Sequence, residues 1–128
     1  MSLLKQSLYL GGAFALCFFV GGWSCWRGSY QQYLETGFNW KTILLPAGAA
    51  VVLSWVVGAR IVPSALAVGI AFPAIIITRV VLDCLKDPTN HNLWPFEVAI
   101  AFFLGMVTAF PAAAIGALLR RMTHRSRA

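Results

Sequence analysis

Long blocks of apolar residues alternate with short polar segments along the whole chain. The blocks cover about residues 7–26, 40–57, 61–85 and 95–119, and each is close to the roughly 20 residues that a helix needs to cross a bilayer. The pattern predicts an all-α, polytopic membrane protein. We expect four transmembrane helices packed as an antiparallel bundle in a single membrane domain, residues 1–128.

Glycine and proline mark the ends of these blocks. Gly58 suits the position just past a helix end, and Pro63 fits the first turn of the next helix, where its missing N–H costs little. The second and third spans should therefore form a tight antiparallel hairpin. Pro88 pushes Asp87 out of the helical region and ends the third span. Pro95 then opens the fourth span.

The composition agrees with a lipid environment. Hydrophobic residues make up 59% of the chain and charged residues 11%, whereas a soluble domain carries about a quarter charged residues. A soluble fold of this size would have to bury more apolar surface than one small core can hold. Lys5 and the first apolar block could also form a cleavable signal peptide. Bulky aromatic residues stand where a peptidase needs small ones, so we expect the first span to be retained.

Positive charge is concentrated near the C-terminus. The net charge is +6, and the basic tail, residues 120–128, contains Arg120, Arg121, Arg125 and Arg127. We expect this tail to face the anionic headgroups of the lipid bilayer, and we expect no nucleic acid partner, because that would need a broad basic face. The Lys and Arg residues divide six against four between the two sides. This bias predicts a multi-pass protein of the bacterial inner membrane with both termini cytoplasmic.

Aromatic residues cluster at the membrane boundary opposite the basic tail. Such side chains sit well at headgroup depth, because one end of the ring is apolar and the other end can form a hydrogen bond. We therefore expect an anchoring belt on the outer side, formed by Trp23, Trp26, Tyr30, Tyr33, Trp40 and Trp94.

The richest polar segment lies between the third and fourth spans. Arg79, Asp83 and Asp87 are spaced four residues apart, so a helix would place them on one face. Unpaired charge is costly near lipid, which favours a structural ion-pair network that locks the two spans together. A polar site for an ion, a proton or a substrate headgroup is the alternative. The candidate site comprises Arg79, Asp83, Lys86, Asp87, His91 and Glu97.

Metal binding and catalysis are only weakly indicated by these residues. One histidine and scattered carboxylates lack the tight spacing of metal ligands. Ser24, Ser54 and Ser64 have no neighbouring base in the sequence, and we expect them to be helix-packing residues. We therefore expect no cofactor and no catalytic residue. An enzyme would have to use the carboxylates and the histidine of the candidate site.

Small residues recur at three- and four-residue steps in three of the spans. Such stripes let helix backbones approach closely, which matters because lipid supplies no hydrophobic drive between helices. A bundle of this size has little interior, so stripes on several helices predict a homo-oligomer or a place in a larger membrane complex. The stripes are Ala13, Cys17, Gly21 and Cys25; Ala47, Ala50, Ser54 and Gly58; and Ala101, Gly105, Ala109, Ala112 and Gly116.

The sequence Ala-Phe-Pro-Ala occurs twice, at residues 71–74 and 109–112, in spans that run in opposite directions. A proline inside a helix frees a carbonyl and introduces a kink, so Pro73 and Pro111 are candidate helix kinks. Paired interruptions in inverted halves mark the central site of transporters. Coincidence or shared packing geometry is the alternative explanation of the repeat.

The three cysteines contain no Cys-x-x-Cys pair, so neither a zinc site nor a dithiol redox motif is indicated. Cys25 and Cys84 lie near the same ends of their helices and could form a disulfide in an oxidising compartment. Two buried thiols are the alternative. Cys17 lies in the middle of its span, where we expect it to pack against other helices.

Three functions are compatible with these features. The first is a non-catalytic accessory or structural subunit that acts through helix packing, for which the small-residue stripes are the reason. The second is a small homo-oligomeric transporter or channel for an ion or a small solute, for which the repeated motif and the charged cluster are the reasons. An enzyme is the least supported of the three.

Overall fold

The chain folds into helices connected by short turns. The computed structural model describes residues 2–29, 32, 40–89 and 92–126, and this part of the chain contains no β-strand. The predicted all-α fold is thus confirmed. The helices are α1 (Leu3–Arg27), α2 (Trp40–Val52), which continues as a π-helical turn (Leu53–Val57), α3 (Ile61–Gly69), α4 (Ala71–Cys84) and α5 (Trp94–Arg125).

Three helical segments of the described residues are long and apolar enough to cross a membrane, by length and composition. They are α1, the α3–α4 segment, and α5. The second segment is shorter: the 13 residues of α2 and the 5 of its π-helical turn reach about 27 Å, against a hydrocarbon thickness of about 30 Å. A complete crossing by this segment stays a prediction.

The turn between the second and third segments has the geometry that glycine favours. Gly58 has a φ of 70°, in the left-handed region, and its N–H donates to the Leu53 carbonyl oxygen. The Ala59 N–H donates to the same oxygen, at 3.1 Å. Helix α3 then begins at Ile61, so that Pro63 falls in its first turn as predicted. No sequence pattern predicts the π-helical turn that precedes Gly58.

The third segment is interrupted at Ile70. Helix α3 ends at Gly69 and α4 begins at Ala71, with Ile70 in a turn between them. Pro73 has no N–H to donate to the Gly69 carbonyl four residues earlier, which explains why the helix loosens at this point. Pro111, by contrast, lies inside α5, which is one unbroken helix.

Two helices are longer than the apolar blocks indicate. Helix α1 begins earlier than predicted, at Leu3, because the Ser2 hydroxyl caps it by accepting a hydrogen bond from the Lys5 N–H, at 3.4 Å. Helix α5 continues beyond its predicted end to Arg125. Residues 120–125 of the predicted tail are therefore the last turns of α5 and not a separate segment.

The four segments pack as a rhombus in cross-section. The second segment packs against α3–α4, and both of them contact α1 on one side and α5 on the other. No contact between α1 and α5 is found among the described residues, so these two helices occupy the far corners. We name the end that contains Arg27, Cys84 and Trp94 the loop end. The opposite end, with residues 58–60 and Arg125, is the tail end.

Small residues form the core between the helices. A Cβ on Gly105 of α5 would collide with the carbonyl oxygen of Gly69 on α3. A Cβ on Gly116 would lie 2.5 Å from the carbonyl oxygen of Val51 on α2. Helices this close gain van der Waals and Cα–H···O contacts, the kind of attraction that remains in lipid. The stripe of α5 is therefore used inside the chain, where all its members are buried: Ala101, Gly105, Ala109, Ala112 and Gly116.

Candidate functional site at the loop end

Arg79 connects α4 to the end of α1. The residue is 8% exposed, and its Nη1 donates to the carbonyl oxygens of Cys25 and Gly28, at 2.7 and 2.8 Å. The last carbonyls of a helix have no partner within that helix and form the negative end of its dipole. A guanidinium has several N–H donors in one plane and can satisfy two such carbonyls at once. Arg79 therefore closes the C-terminus of α1.

Asp83 lies one turn after Arg79 on α4 and binds the same guanidinium. Its Oδ2 accepts a hydrogen bond from Arg79 Nε at 2.7 Å, and the two side chains are only 13% and 10% exposed. A charge-assisted hydrogen bond of this kind is stronger where water is largely excluded. Asp83 binds the Nε of the guanidinium and leaves Nη1 directed at the end of α1.

Lys86 and Asp87 lie outside this buried pair, on the exposed turn that follows α4. Asp87 Oδ1 accepts hydrogen bonds from the Thr89 hydroxyl at 2.8 Å and from the Thr89 N–H at 3.0 Å. The hydroxyl, and then the backbone N–H, lower the pKa of Asp87 below its ordinary value because both stabilise the carboxylate. This arrangement is an Asx turn, which reverses the chain after α4.

Glu97 stands in the first turn of α5 and is half-buried at the loop end. An acidic side chain at this position is stabilised by the positive end of the helix dipole. Its place at the start of α5 therefore has a structural reason. His91, the remaining member of the candidate site, lies outside the described residues.

The cluster divides into a buried part and an exposed part. The buried part, Arg79 and Asp83, is bound to the chain's own backbone, and the exposed part, Lys86 and Asp87, belongs to a turn. No three His, Cys, Asp or Glu side chains come together as metal ligands would among the residues that the structure describes. This geometry fits a structural ion-pair network better than a site for a ligand.

None of the three cysteines is in a disulfide. The Cys25–Cys84 bridge considered from the sequence is therefore not formed. Cys25 is fully buried and its carbonyl binds Arg79, while Cys84 is half-buried at the last residue of α4. Cys17 packs in the core as expected. Arg79, and not a disulfide, joins the loop ends of α1 and α4.

Trp26 packs inward and does not belong to the anchoring belt. Its indole ring covers Gly22, where a Cβ would lie 2.5 Å from the ring, and meets Phe18 edge-on with 5.0 Å between the ring centroids. Its Nε1 donates to the Ile75 carbonyl oxygen at 3.3 Å. The signal in the sequence is the glycine one turn before the tryptophan, because it leaves room for the ring. Trp23 is exposed, as the belt requires.

A second arginine binds a backbone carbonyl at the tail end. Arg120 Nη1 donates to the Gly58 carbonyl oxygen at 2.8 Å, and a side chain at position 58 would collide with the guanidinium. Arg120 thus ties α5 to the turn between the second and third segments. Arg121 and Arg125 are exposed, and Arg127 lies outside the described residues.

Two buried serines have hydroxyls with no hydrogen-bond partner in the described part of the chain. Ser54 is 1% exposed and Ser64 is 0% exposed. They stand five residues before and five residues after Ala59, in the middle of the turn. Burying a hydroxyl without a partner costs free energy. Their equal spacing from the turn is visible in the sequence, but their burial is not.

Comparison with protein-family models, with curated proteins and with solved structures found no match to this chain. A proposal about its function therefore has to rest on the contacts between its own residues. Those contacts show which charged side chains bind other groups of the fold and which helix faces are exposed.

Proposed function

We propose that this chain is a non-catalytic accessory subunit of a membrane assembly and that it acts through helix packing. In this proposal it is a multi-pass protein of the bacterial inner membrane that crosses the bilayer four times, with the tail end on the cytoplasmic side. The observation that carries the proposal is a contrast between glycines that pack inside the chain and glycines that face outward.

Glycine has two different surroundings in this bundle. Gly105 and Gly116 have no room for a side chain, because backbone atoms of neighbouring helices fill the space. Gly11, Gly12 and Gly48 have no atom within 4 Å of where a Cβ would be. Glycine in a helix is less favourable than alanine by about 1 kcal/mol, and packing within the chain does not account for these three positions. Small residues at such positions let a second helix approach closely in lipid.

The outward-facing glycines lie on adjacent helices, Gly11 and Gly12 on α1 and Gly48 on α2. Helices α1 and α2 pack against each other. Only 17% of the apolar stretch of α1 is buried, against 50% for the α3–α4 segment. The side of the bundle formed by α1 and α2 is therefore the side that fits a partner helix.

A bulky side chain at Gly12 tests this role. Gly12→Leu should leave the monomer folded, because the surrounding space is open, and should weaken assembly with the partner. The complexes would be crosslinked in the native membrane, purified in mild detergent and weighed by mass spectrometry. Ala99→Leu, which adds the same bulk at an exposed position of α5, is the matched control.

The expected result is a foreign protein that accompanies the wild type and Ala99→Leu in a fixed ratio and is lost in Gly12→Leu. A wild type that holds only copies of itself would refute the accessory proposal and would favour transport. Equal loss in both variants would show that added bulk anywhere on the surface is harmful, and would remove Gly12 as the contact.

A small homo-oligomeric transporter or channel is the second candidate, and the buried serines favour it. The hydroxyls of Ser54 and Ser64 are both buried without a hydrogen-bond partner among the described residues, and Ser54 belongs to the π-helical turn. Such turns are frequent at functional sites. Unmatched buried hydroxyls can bind ordered water or a small polar solute, which is what a path for an ion would need.

Flux measurements test this second candidate. The purified protein in liposomes should conduct H⁺, K⁺ or Cl⁻, and replacement of both serines, Ser54→Ala with Ser64→Ala, should stop that flux. Ser7→Ala is the control, because the Ser7 hydroxyl donates to the Leu3 carbonyl oxygen on an exposed part of α1. Liposomes that show no flux of these ions with the wild type would exclude an ion channel.

A further inference from the structure

The tail end of the bundle carries positive charge, and the part of it that the structure describes contains no Asp or Glu. Of the four acidic residues in the sequence, the three that the structure describes, Asp83, Asp87 and Glu97, lie at the loop end. Within the described residues, the cations at the tail end therefore have no Asp or Glu side chain to neutralise them. Those in the described part of the chain are Lys5, Arg60, Arg120, Arg121 and Arg125.

Helix α5 is long enough to carry three of these cations past the hydrocarbon region. Its 32 residues reach about 48 Å, while the hydrocarbon core is about 30 Å thick. Its apolar part continues to Leu119 and its first basic residue is Arg120. The last turns of α5 therefore stand at the depth of the lipid headgroups.

Two guanidinium groups lie at the turn between the second and third segments. Arg120 is held there by the Gly58 carbonyl oxygen, and Arg60 follows two residues after Gly58. The carbonyl fixes one N–H of Arg120, so the remaining donors of that guanidinium keep a defined direction. Guanidinium groups bind phosphate oxygens through paired, charge-assisted hydrogen bonds.

Two more arginines combine charge with apolar surface. Arg121 and Arg125 are one turn apart on the exposed side of α5. Leu118 lies three residues before Arg121, and Met122 lies between the two arginines in sequence. Leu118 is 58% exposed and Met122 is 64% exposed. An apolar side chain beside a cation matches a lipid, whose acyl chain lies directly beneath its phosphate. A soluble anion would satisfy only the cations.

We infer that the tail end binds anionic phospholipid. The headgroup phosphates lie on the four arginines, and the upper acyl carbons lie against Leu118 and Met122. This lipid site is separate from the α1–α2 side proposed for a partner helix, so either proposal can fail without the other.

Paired charge removals at the two ends of the bundle test this site. Arg121→Gln with Arg125→Gln removes two exposed charges from the tail end and leaves the Arg120 contact in place. Arg27→Gln with Lys86→Gln removes two exposed charges from the loop end and is the matched control. The full chain in neutral detergent would be titrated with phosphatidylglycerol and with phosphatidylcholine, with bound lipid measured by native mass spectrometry.

Phosphatidylglycerol should bind the wild type and the loop-end control equally, and the tail-end variant roughly tenfold more weakly. Phosphatidylcholine, which has no net charge, should bind all three proteins weakly and alike. Glycerol phosphate at the same concentration should not compete with phosphatidylglycerol, because it lacks acyl chains. Full competition would overturn the inference in favour of a soluble anion. Equal weakening in both double variants would also overturn it, since net charge alone would then govern binding.

Discussion

Arginine side chains bind backbone carbonyl oxygens at both ends of this bundle. Arg79 binds the last turn of α1, and Arg120 binds Gly58 at the end of the second segment. In both cases the acceptor lies at a helix C-terminus, where carbonyls lack partners and the dipole is negative. Arg79 is buried and Arg120 is exposed, so stability should depend much more on Arg79.

Replacement of Arg79 should destabilise the fold. In Arg79→Ala, two carbonyl oxygens at the end of α1 lose their hydrogen-bond donor, and the Asp83 carboxylate loses its ion-pair partner. These losses should lower the free energy of unfolding by about 3 kcal/mol. Arg79→Lys keeps the charge but not the planar array of donors, so its stability should be intermediate. Thermal unfolding in mild detergent measures both, with the exposed Arg121→Ala as the control. Wild-type stability in Arg79→Ala would contradict the structural role of this cluster.

Asp87 and Thr89 give a prediction about pH. The lowered pKa of Asp87 stabilises the turn above the ordinary aspartate pKa, and this contribution is lost as the pH falls through the lowered value. Thr89→Val removes the hydroxyl donor and should raise the pKa of Asp87 towards its ordinary value. Carboxyl ¹³C NMR titration in micelles measures the change. Thr123→Val, whose hydroxyl donates to the Leu119 carbonyl oxygen, should leave the titration unaltered; an unaltered titration in Thr89→Val would exclude the hydroxyl as the cause.

Only part of the surroundings of Arg79 can be predicted from the sequence. The four-residue spacing to Asp83 indicates that the two side chains share a helix face, and the structure places them in an ion pair. The Cys25 and Gly28 carbonyls could not be predicted as acceptors. Every residue has a carbonyl, and the pattern of apolar residues does not say which helix lies beside α4.

At the level of the helices, glycine sets how closely other segments approach α5. Gly105 meets Gly69 on α3, and Gly116 meets Val51 on α2. Gly105 and Gly116 are eleven residues apart, which is about three helical turns, so they lie on one face of α5. That single face therefore packs on both neighbouring segments.

Substitutions at two glycines should separate packing from helix propensity. Gly105→Val would push α5 away from the Gly69 carbonyl, and overpacking of this kind costs about 1–3 kcal/mol. Gly48→Ala meets no atom within 4 Å and should be neutral or stabilise the monomer by up to about 1 kcal/mol. Thermal unfolding of both variants in one detergent gives the comparison. Equal stability of the two variants would contradict the close approach of α5 and α3.

The number of helical segments can be predicted from the lengths of the apolar blocks and from the glycine and proline residues at their ends. Gly58 likewise predicts the left-handed turn in which it lies. The extension of α5 through residues 120–125 could not be read from hydrophobicity, because those residues are polar while arginine still favours a helix. The interruption at Ile70 has its cause in Pro73, which has no N–H for the Gly69 carbonyl, while Ile70 itself keeps helical dihedral angles. The π-helical turn has no signature in the sequence.

For the molecule as a whole, the rhombic packing leaves α1 and α5 exposed at its far corners. The small-residue stripe of α5 is used inside the chain, so it no longer supports an oligomer. The argument for an oligomer or a partner now rests on the outward-facing glycines, Gly11, Gly12 and Gly48. Which segments neighbour each other could not be predicted, because three of the spans carry a small face that could pack on any other.

The central claim is that the chain crosses the membrane four times, with its tail end on one side, and substituted-cysteine labelling tests it most directly. Single cysteines would replace Ser2, Arg60 and Ser126 at the tail end and Ser29 and Thr89 at the loop end, in a chain without its native cysteines. A membrane-impermeant maleimide added to intact cells should label only the two loop-end positions. The three tail-end positions should be labelled only after the membrane has been permeabilised. Labelling of Arg60→Cys and Ser29→Cys from the same side would show that the second segment does not cross, and would contradict the account.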